Sequence, residues 1–316
     1  MKIREATTDD FTEIIRVLKA SLGEADLPIS EAIWKYKHVE NPFGQSLVLI
    51  AEDGGIIVGI RAFMKWKWKK KDRVFSAFRA VDTATHPDYQ GKGVFKKLTL
   101  EAVKIGKELS YNFVFNTPNV QSRPGYLKMG WEEVGKVKVT LQPAYNSFWK
   151  FKTSKLEYQI LNEAAPSEIL SLCKSWNNKL TLEEKIFTPK SAEFLLWRYE
   201  NNPLQKYEVL STPNVYMAAY IKKRKNVKEL RIAECIFKDD SNSIKAVRQF
   251  INKCSLKFGA QVITWSPKVL NLHSLSYQGA FGPTLTVRDL DLNEKDLQFL
   301  LVDENWNYSI GDLELF

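Results

Sequence analysis

An internal repeat constrains this chain more than any other feature. Trp34-Lys35-Tyr36 followed by Asn41-Pro42 returns as Trp197-Arg198-Tyr199 followed by Asn202-Pro203. A strand and a basic hairpin come after each copy, the hairpins carrying MKWKWKKKDR (64–73) and Lys222-Lys223-Arg224-Lys225. Phe115-Asn116-Thr117-Pro118 returns as Thr264-Trp265-Ser266-Pro267, each after a helix and a short strand. A repeat of this length predicts two domains of one architecture, at 1–148 and 156–316, divided in the lysine-rich stretch 147–156. The 316 residues, 44% hydrophobic, suffice for two cores. Pro42 and Pro118 lie 76 residues apart, Pro203 and Pro267 only 64. The piece missing from the second copy is the equivalent of 86–95, so only the first half keeps a glycine loop.

Periodicity predicts the elements around that loop. Residues 2–6 read as a strand, and Thr8-Asp9-Asp10 caps a helix whose Phe11, Ile14, Ile15, Leu18 and Leu22 recur at helical spacing. Strands at 46–52 and 56–68 flank the turn Asp53-Gly54-Gly55. Within the second of these, Trp66 and Trp68 fall on one face and Lys65, Lys67 and Lys69 on the other. A strand at 74–85 runs into His86-Pro87-Asp88-Tyr89-Gln90-Gly91-Lys92-Gly93, and a helix follows from Val94 to about Leu109. A short buried strand at 111–115, a helix at 122–129 and a strand after Trp131 complete the first half. The fold class is therefore α/β (α+β): two twisted mixed sheets flanked by helices. The acidic, aromatic segment 303–316 is expected to cover an edge of the second domain.

Gln90-Gly91-Lys92-Gly93-Val94-Phe95 joins a strand to a helix. Glycines there let the backbone turn tightly and bring N–H groups close to an anion. The helix start adds its positive dipole end, and Lys92, Lys96 and Lys97 add charge. A pyrophosphate suits such a site, although two glycines also serve a plain strand-to-helix turn. No Gly-Lys-Ser/Thr closes a Walker loop, and no third glycine completes a dinucleotide fingerprint.

The net charge of +9 agrees with an anionic partner, whether a polyphosphate cofactor or a nucleic acid. Three cysteines (Cys173, Cys235, Cys254) and three histidines (His38, His86, His273) form neither a disulfide framework nor a metal-ligand pattern, so no metal is expected. No stretch approaches the roughly 20 apolar residues of a membrane span, and no leader is evident. A reducing, cytoplasmic setting without a membrane partner is the expectation.

Residues 85–93 resemble the pyrophosphate-binding motif of the GNAT (Gcn5-related N-acetyltransferase) superfamily, Gln/Arg-x-x-Gly-x-Gly/Ala. Gln90 and Gly93 match its first and fourth positions, while Phe95 stands where Gly or Ala is usual. Asn119 and Tyr126-Leu127-Lys128-Met129-Gly130-Trp131 resemble the family's later Asn…Tyr-x-x-x-Gly-Phe block, with Trp131 for Phe. Together the two blocks cover roughly 75–135, and the second half looks like a degenerate copy. The resemblance implies an acyl-CoA donor, acetyl-CoA foremost. Its cofactor residues would be Ala84, Thr85, Gln90, Gly91, Lys92, Gly93, Val94, Phe95 and Asn119. It further implies that the strand end at Ala84 and Thr85 pairs with the pantetheine, and that Tyr126 protonates the departing thiolate.

An amine that attacks a thioester needs positioning, an oxyanion donor and routes for two protons. Asp82 is the candidate general base, and a water relay without a dedicated base is the alternative. Tyr126 also reads as a core tyrosine, and Asp82 as an exposed strand residue. The expected function is N-acyl transfer to a primary amine, a small molecule or amino-sugar before a protein. Two rivals remain: a Fem-like transferase using aminoacyl-tRNA, and a non-catalytic module binding nucleic acid through the Trp/Lys hairpin. The intact loop argues against the first, and the hairpin's weaker echo in the second half argues against the other.

Overall fold

A computed structural model describes residues 1–22, 30–145, 156–225, 227–272 and 275–313. The expected boundary lies outside these residues except for 156, and so does His273. In chain order the strands of the first half are β1 (Lys2–Glu5), β2 (Leu47–Asp53), β3 (Ile56–Lys70), β4 (Arg73–Thr85), β5 (Phe113–Asn116), β6 (Glu132–Lys136) and β7 (Val139–Pro143). Those of the second half are β8 (Ile160–Asn162), β9 (Ile186–Phe187), β10 (Glu208–Ser211), β11 (Val215–Arg224), β12 (Val227–Phe237), β13 (Val262–Trp265), β14 (Tyr277–Gly279), β15 (Thr284–Asp289) and β16 (Trp306–Asn307).

The chain forms two compact units. The first comprises Met1–Trp68, Arg73–Gly135 and Thr284–Asp303. Its sheet runs β1-β2-β3-β4-β5-β15-β6, with β4 and β5 parallel and β15 antiparallel to β5. Helix Val94–Glu108 packs Val94, Leu98, Ala102 and Val103 into one core with Leu49, Phe63, Phe78 and Tyr126. Burying these apolar faces, at roughly 25 cal/mol per Å², is what holds helix to sheet. Trp66 and Trp68 are buried and Lys67 is exposed, as the alternation predicts.

The second unit comprises Lys69–Asp72, Lys136–Pro283 and Glu304–Phe316. Its sheet runs β14-β7-β13-β12-β11-β10-β8, with β12 and β13 parallel. The repeat is visible in local structure. Asn41 Oδ1 accepts from the Phe43 amide, and Asn202 Oδ1 accepts from the Leu204 amide in the same way. Each asparagine thus closes a turn between a helix and the strand after it.

The units differ from the division expected at 148 and 156. Thr284–Asp289 joins the first sheet, and Val139–Pro143 joins the second, between β13 and β14. β15 covers the open edge of β5 in register from Thr286↔Asn116 to Asp289↔Phe113. There the Thr286 hydroxyl donates to Asn116 Oδ1 at 2.6 Å, and Leu285 and Val287 are buried. A strand's own pattern says which face is apolar; the open edge it meets decides which sheet it enters. The final segment also departs from expectation. Trp306, Tyr308 and Asp312 are fully buried, and Lys190 Nζ lies 2.7 Å from both Asp312 and Glu234. Residues 306–313 are core, fixed by a buried ion cluster.

Candidate active site

The ladder between β4 and β5 ends at Arg79↔Phe115, but β4 continues through Thr85. Among the described residues, no strand pairs with β4 on that side beyond Arg79. A slot inside a sheet with unpaired backbone suits an extended ligand that carries its own amides. Ala84 is buried and Thr85 half-buried along this slot. The Thr83 hydroxyl donates to the Ile60 carbonyl, and the His86 amide to that of Val58, so β3 backs the end of β4.

The slot leads to the glycine loop. Gly91 and Gly93 have φ of +75° and +76°, the left-handed region that favours glycine, and a Cβ at either would meet nothing within 4 Å. Gly93 caps helix Val94–Glu108 with no side-chain bond, which leaves the first-turn N–H groups open to an anion. At Gly59 a Cβ would come within 2.5 Å of Val94 Cγ1, so glycine there lets β3 approach the helix start closely. The second unit differs at the matching point. Asp240 caps helix Ser241–Phe258, its carboxylate accepting from the Ser243 amide at 2.9 Å and the Ser243 hydroxyl at 2.8 Å. A negative group already fills that helix start.

The other candidate residues fall around this loop. Gln90 Nε2 reaches back toward the Thr85 carbonyl at 3.5 Å. Lys92 Nζ lies 4.4 Å from the centre of the Tyr89 ring. Phe95 stands edge-on to the Tyr126 ring at 5.5 Å, so the bulky residue packs against the candidate acid. Asn119 is exposed, and its Oδ1 accepts from the Ser122 amide and hydroxyl at the start of helix Arg123–Lys128. Tyr126 is buried, and its hydroxyl accepts from Arg61 Nη1 at 2.7 Å.

Asp82 is not a lone strand carboxylate. His38 Nε2 lies 2.8 Å from Asp82 Oδ2, and Lys37 Nζ lies 2.5 Å from the same oxygen. Burial would raise the Asp82 pKa, but the Lys37 charge and the His38 hydrogen bond outweigh it and hold the carboxyl well below its ordinary range. Burial likewise lowers the pKa of His38, against the pull of Asp82, so the imidazole is kept neutral. Its Nδ1 faces the Ser46 hydroxyl at 2.9 Å. Asp82 has φ +29°, a conformation that costs about 1–3 kcal/mol in a residue with a side chain.

Arg61, His38, Lys37 and Ser46 escape the sequence reading. Arg61 leaves one trace, a lone charge in the apolar run 56–64. His38 and Ser46 leave none, because only the packing of helix Glu31–His38 brings them to β4.

Residues 2–134 match the acetyltransferase (GNAT) domain family. The fold resembles a GCN5-related N-acetyltransferase from Anabaena variabilis, with TM-score 0.65 and 15% identity over 92% of this chain and 73% of that one. A probable N-acyltransferase from Enterococcus faecalis gives 0.66 at 11%, over 92% and 73%. Eis1 from Mycobacterium abscessus gives 0.58 at 12%, over 92% and 74%. No curated protein matches the sequence. At such identities the structures speak for the fold alone. No helix among the described residues is long and apolar enough to cross a membrane. The family match covers residues 2–134, the part of the chain that carries the slot and the glycine loop.

Proposed function

We propose that the protein transfers an acyl group, acetyl foremost, from acyl-CoA to a primary amine by direct attack within a ternary complex. The observation that carries this reading is the slot beyond Arg79↔Phe115, which opens onto the uncapped start of helix Val94–Glu108. Pantetheine amides would pair with residues up to Ala84 and Thr85. The pyrophosphate would rest on the N–H groups of 91–95, with Lys92 adding charge and Asn119 contacting the cofactor from the facing turn. A backbone N–H at the end of β4 would polarise the thioester carbonyl.

Tyr126 is the candidate acid for the leaving thiolate. Because Arg61 donates to its oxygen, the phenol proton stays free to be given away. Asp82 enters as the partner of His38 rather than as a base by itself, since a strongly ionised carboxylate takes up protons poorly. The neutral imidazole is the better acceptor of the amine's proton, with Ser46 or a water between. The second unit takes no donor, because its helix start is closed by Asp240. Trp66 and Trp68 are buried and offer no platform for stacked bases, which weighs against the nucleic-acid module.

The test is calorimetry with acetyl-CoA, followed by thiol release over a panel of amines: amino-sugars, polyamines, aminoglycosides and peptides. One equivalent per chain and amine-dependent thiol release are expected. Failure to bind acetyl-CoA at millimolar concentration sinks the reading. Transfer from aminoacyl-tRNA in its place would establish the Fem-like alternative.

A further inference from the structure

Arg61 is fully buried in the middle of β3, yet no carboxylate among the described residues bonds to it. Nη1 donates to the Tyr126 hydroxyl, and Nε and Nη2 have no hydrogen-bond partner among the described residues. The rings of Phe63, Phe95 and Tyr126 lie 4.9, 5.7 and 5.3 Å from its guanidinium carbon. Proteins do not neutralise a guanidinium by deprotonation, and three aromatic faces offset only part of its lost hydration. A buried charge without a counter-ion is costly to the fold. Its retention points to an anion that arrives later.

The surroundings say where. Residue 60, next to Arg61, accepts from Thr83 of the unpaired part of β4, and Phe95 belongs to the first turn of the helix after the glycine loop. β3 therefore brings Arg61 alongside the end of β4, with its guanidinium near Phe95 of the helix start and its partner hydroxyl beside it.

We propose that the counter-charge of Arg61 is the thiolate of coenzyme A as it leaves the acyl group. Arg61 is a positioning residue: it occupies a lone pair of the Tyr126 oxygen and turns the phenol proton outward. Its charge also offsets the negative charge that builds on sulfur as the carbon–sulfur bond breaks. When the phenol proton passes to sulfur, the charge moves to the phenol oxygen, 2.7 Å from Nη1, and solvent later returns the proton. The interaction is absent for the neutral thioester and present for the departing thiolate, so it favours the transition state over bound substrate. This rests on the acyl-CoA reading above.

The experiment compares coenzyme A with acetyl-CoA by calorimetry across the ionisation of a free thiol, near pH ~8.5. In the wild type, CoA affinity should rise several-fold relative to acetyl-CoA as the pH passes through that range. In Arg61→Met the rise should vanish, with acetyl-CoA affinity unchanged. Removing an uncompensated charge should leave the unfolding midpoint of Arg61→Met unchanged or higher; a lower midpoint would mark Arg61 as a structural residue and overturn the proposal. Arg61→Lys, which keeps the charge, should retain part of the rise. If Arg61→Met keeps the full rise, or the wild type shows none while binding both ligands, this inference fails and the acyl-CoA reading stands. If neither ligand binds the wild type, the acyl-CoA reading has failed first.

Discussion

His38 Nε2 lies 2.8 Å from Asp82 Oδ2, joining the end of helix Glu31–His38 to the strand that enters the glycine loop. Lys37 and Ser46 complete the cluster, one on Asp82 and the other on the far nitrogen of His38.

That pairing makes stability depend on pH. Burial holds His38 below its ordinary 6.5, so as the pH falls below 6.5 the unfolded chain takes up a proton that the folded chain refuses. Stability should therefore drop with falling pH through that window. Asp82, also held low, adds a second loss below 3.8, where the unfolded carboxyl protonates first. Urea unfolding from about pH 8 to 5 should show the first limb, and His38→Gln should flatten it. A stability that rises toward pH 5 in the wild type would contradict the buried neutral histidine.

Asp82→Asn keeps the size but removes the charge that Lys37 and His38 share. A loss of about 1–3 kcal/mol in unfolding free energy is expected. Turnover should fall in both variants, and no further in Asp82→Asn than in His38→Gln, if Asp82 acts by holding the imidazole in its working tautomer. Full activity in both variants would hand the proton to a water relay.

Gly93→Asp places a side chain where φ is +76° and a carboxylate where the proposed pyrophosphate would sit. Acetyl-CoA affinity should fall by tenfold or more, ~1.4 kcal/mol at the least. The space around a Cβ there is open, so the fold should survive, as circular dichroism would show. Binding of two equivalents by the wild type would mean that Asp240 does not close the second helix start.

Tyr126→Phe keeps the ring in its core while removing the hydroxyl. Turnover should fall toward the low end of the ~10²–10⁴-fold range of general acids, with acetyl-CoA affinity unchanged. A core role alone predicts normal turnover for Phe.

The exchanged strand makes the first unit depend on the far end of the chain. A fragment of residues 1–148 lacks Thr284–Asp289, so β5 keeps an open edge and Asn116 loses its Thr286 partner. Such a fragment should aggregate or fail to unfold cooperatively, while one that also carries 284–303 through a linker should fold. Cooperative unfolding of 1–148 alone would show β15 to be dispensable.

The sequence by itself determined a good deal. The repeat, the Trp/Lys alternation of β3, and the strand-turn-helix with its two glycines are local patterns, written in spacings of two and three to four residues. The glycine loop was legible for the same reason: its backbone needs glycine at Gly91 and Gly93, whatever surrounds them. Tertiary structure alone decided the rest. That β15 belongs to the first sheet depends on which edge lies open. That Asp82 is bonded to His38, and Tyr126 to Arg61, depends on elements 44 and 65 residues apart in the chain being packed together. Ionisation follows burial and neighbours, so the state of Asp82 and His38 could be read only once the core had set both.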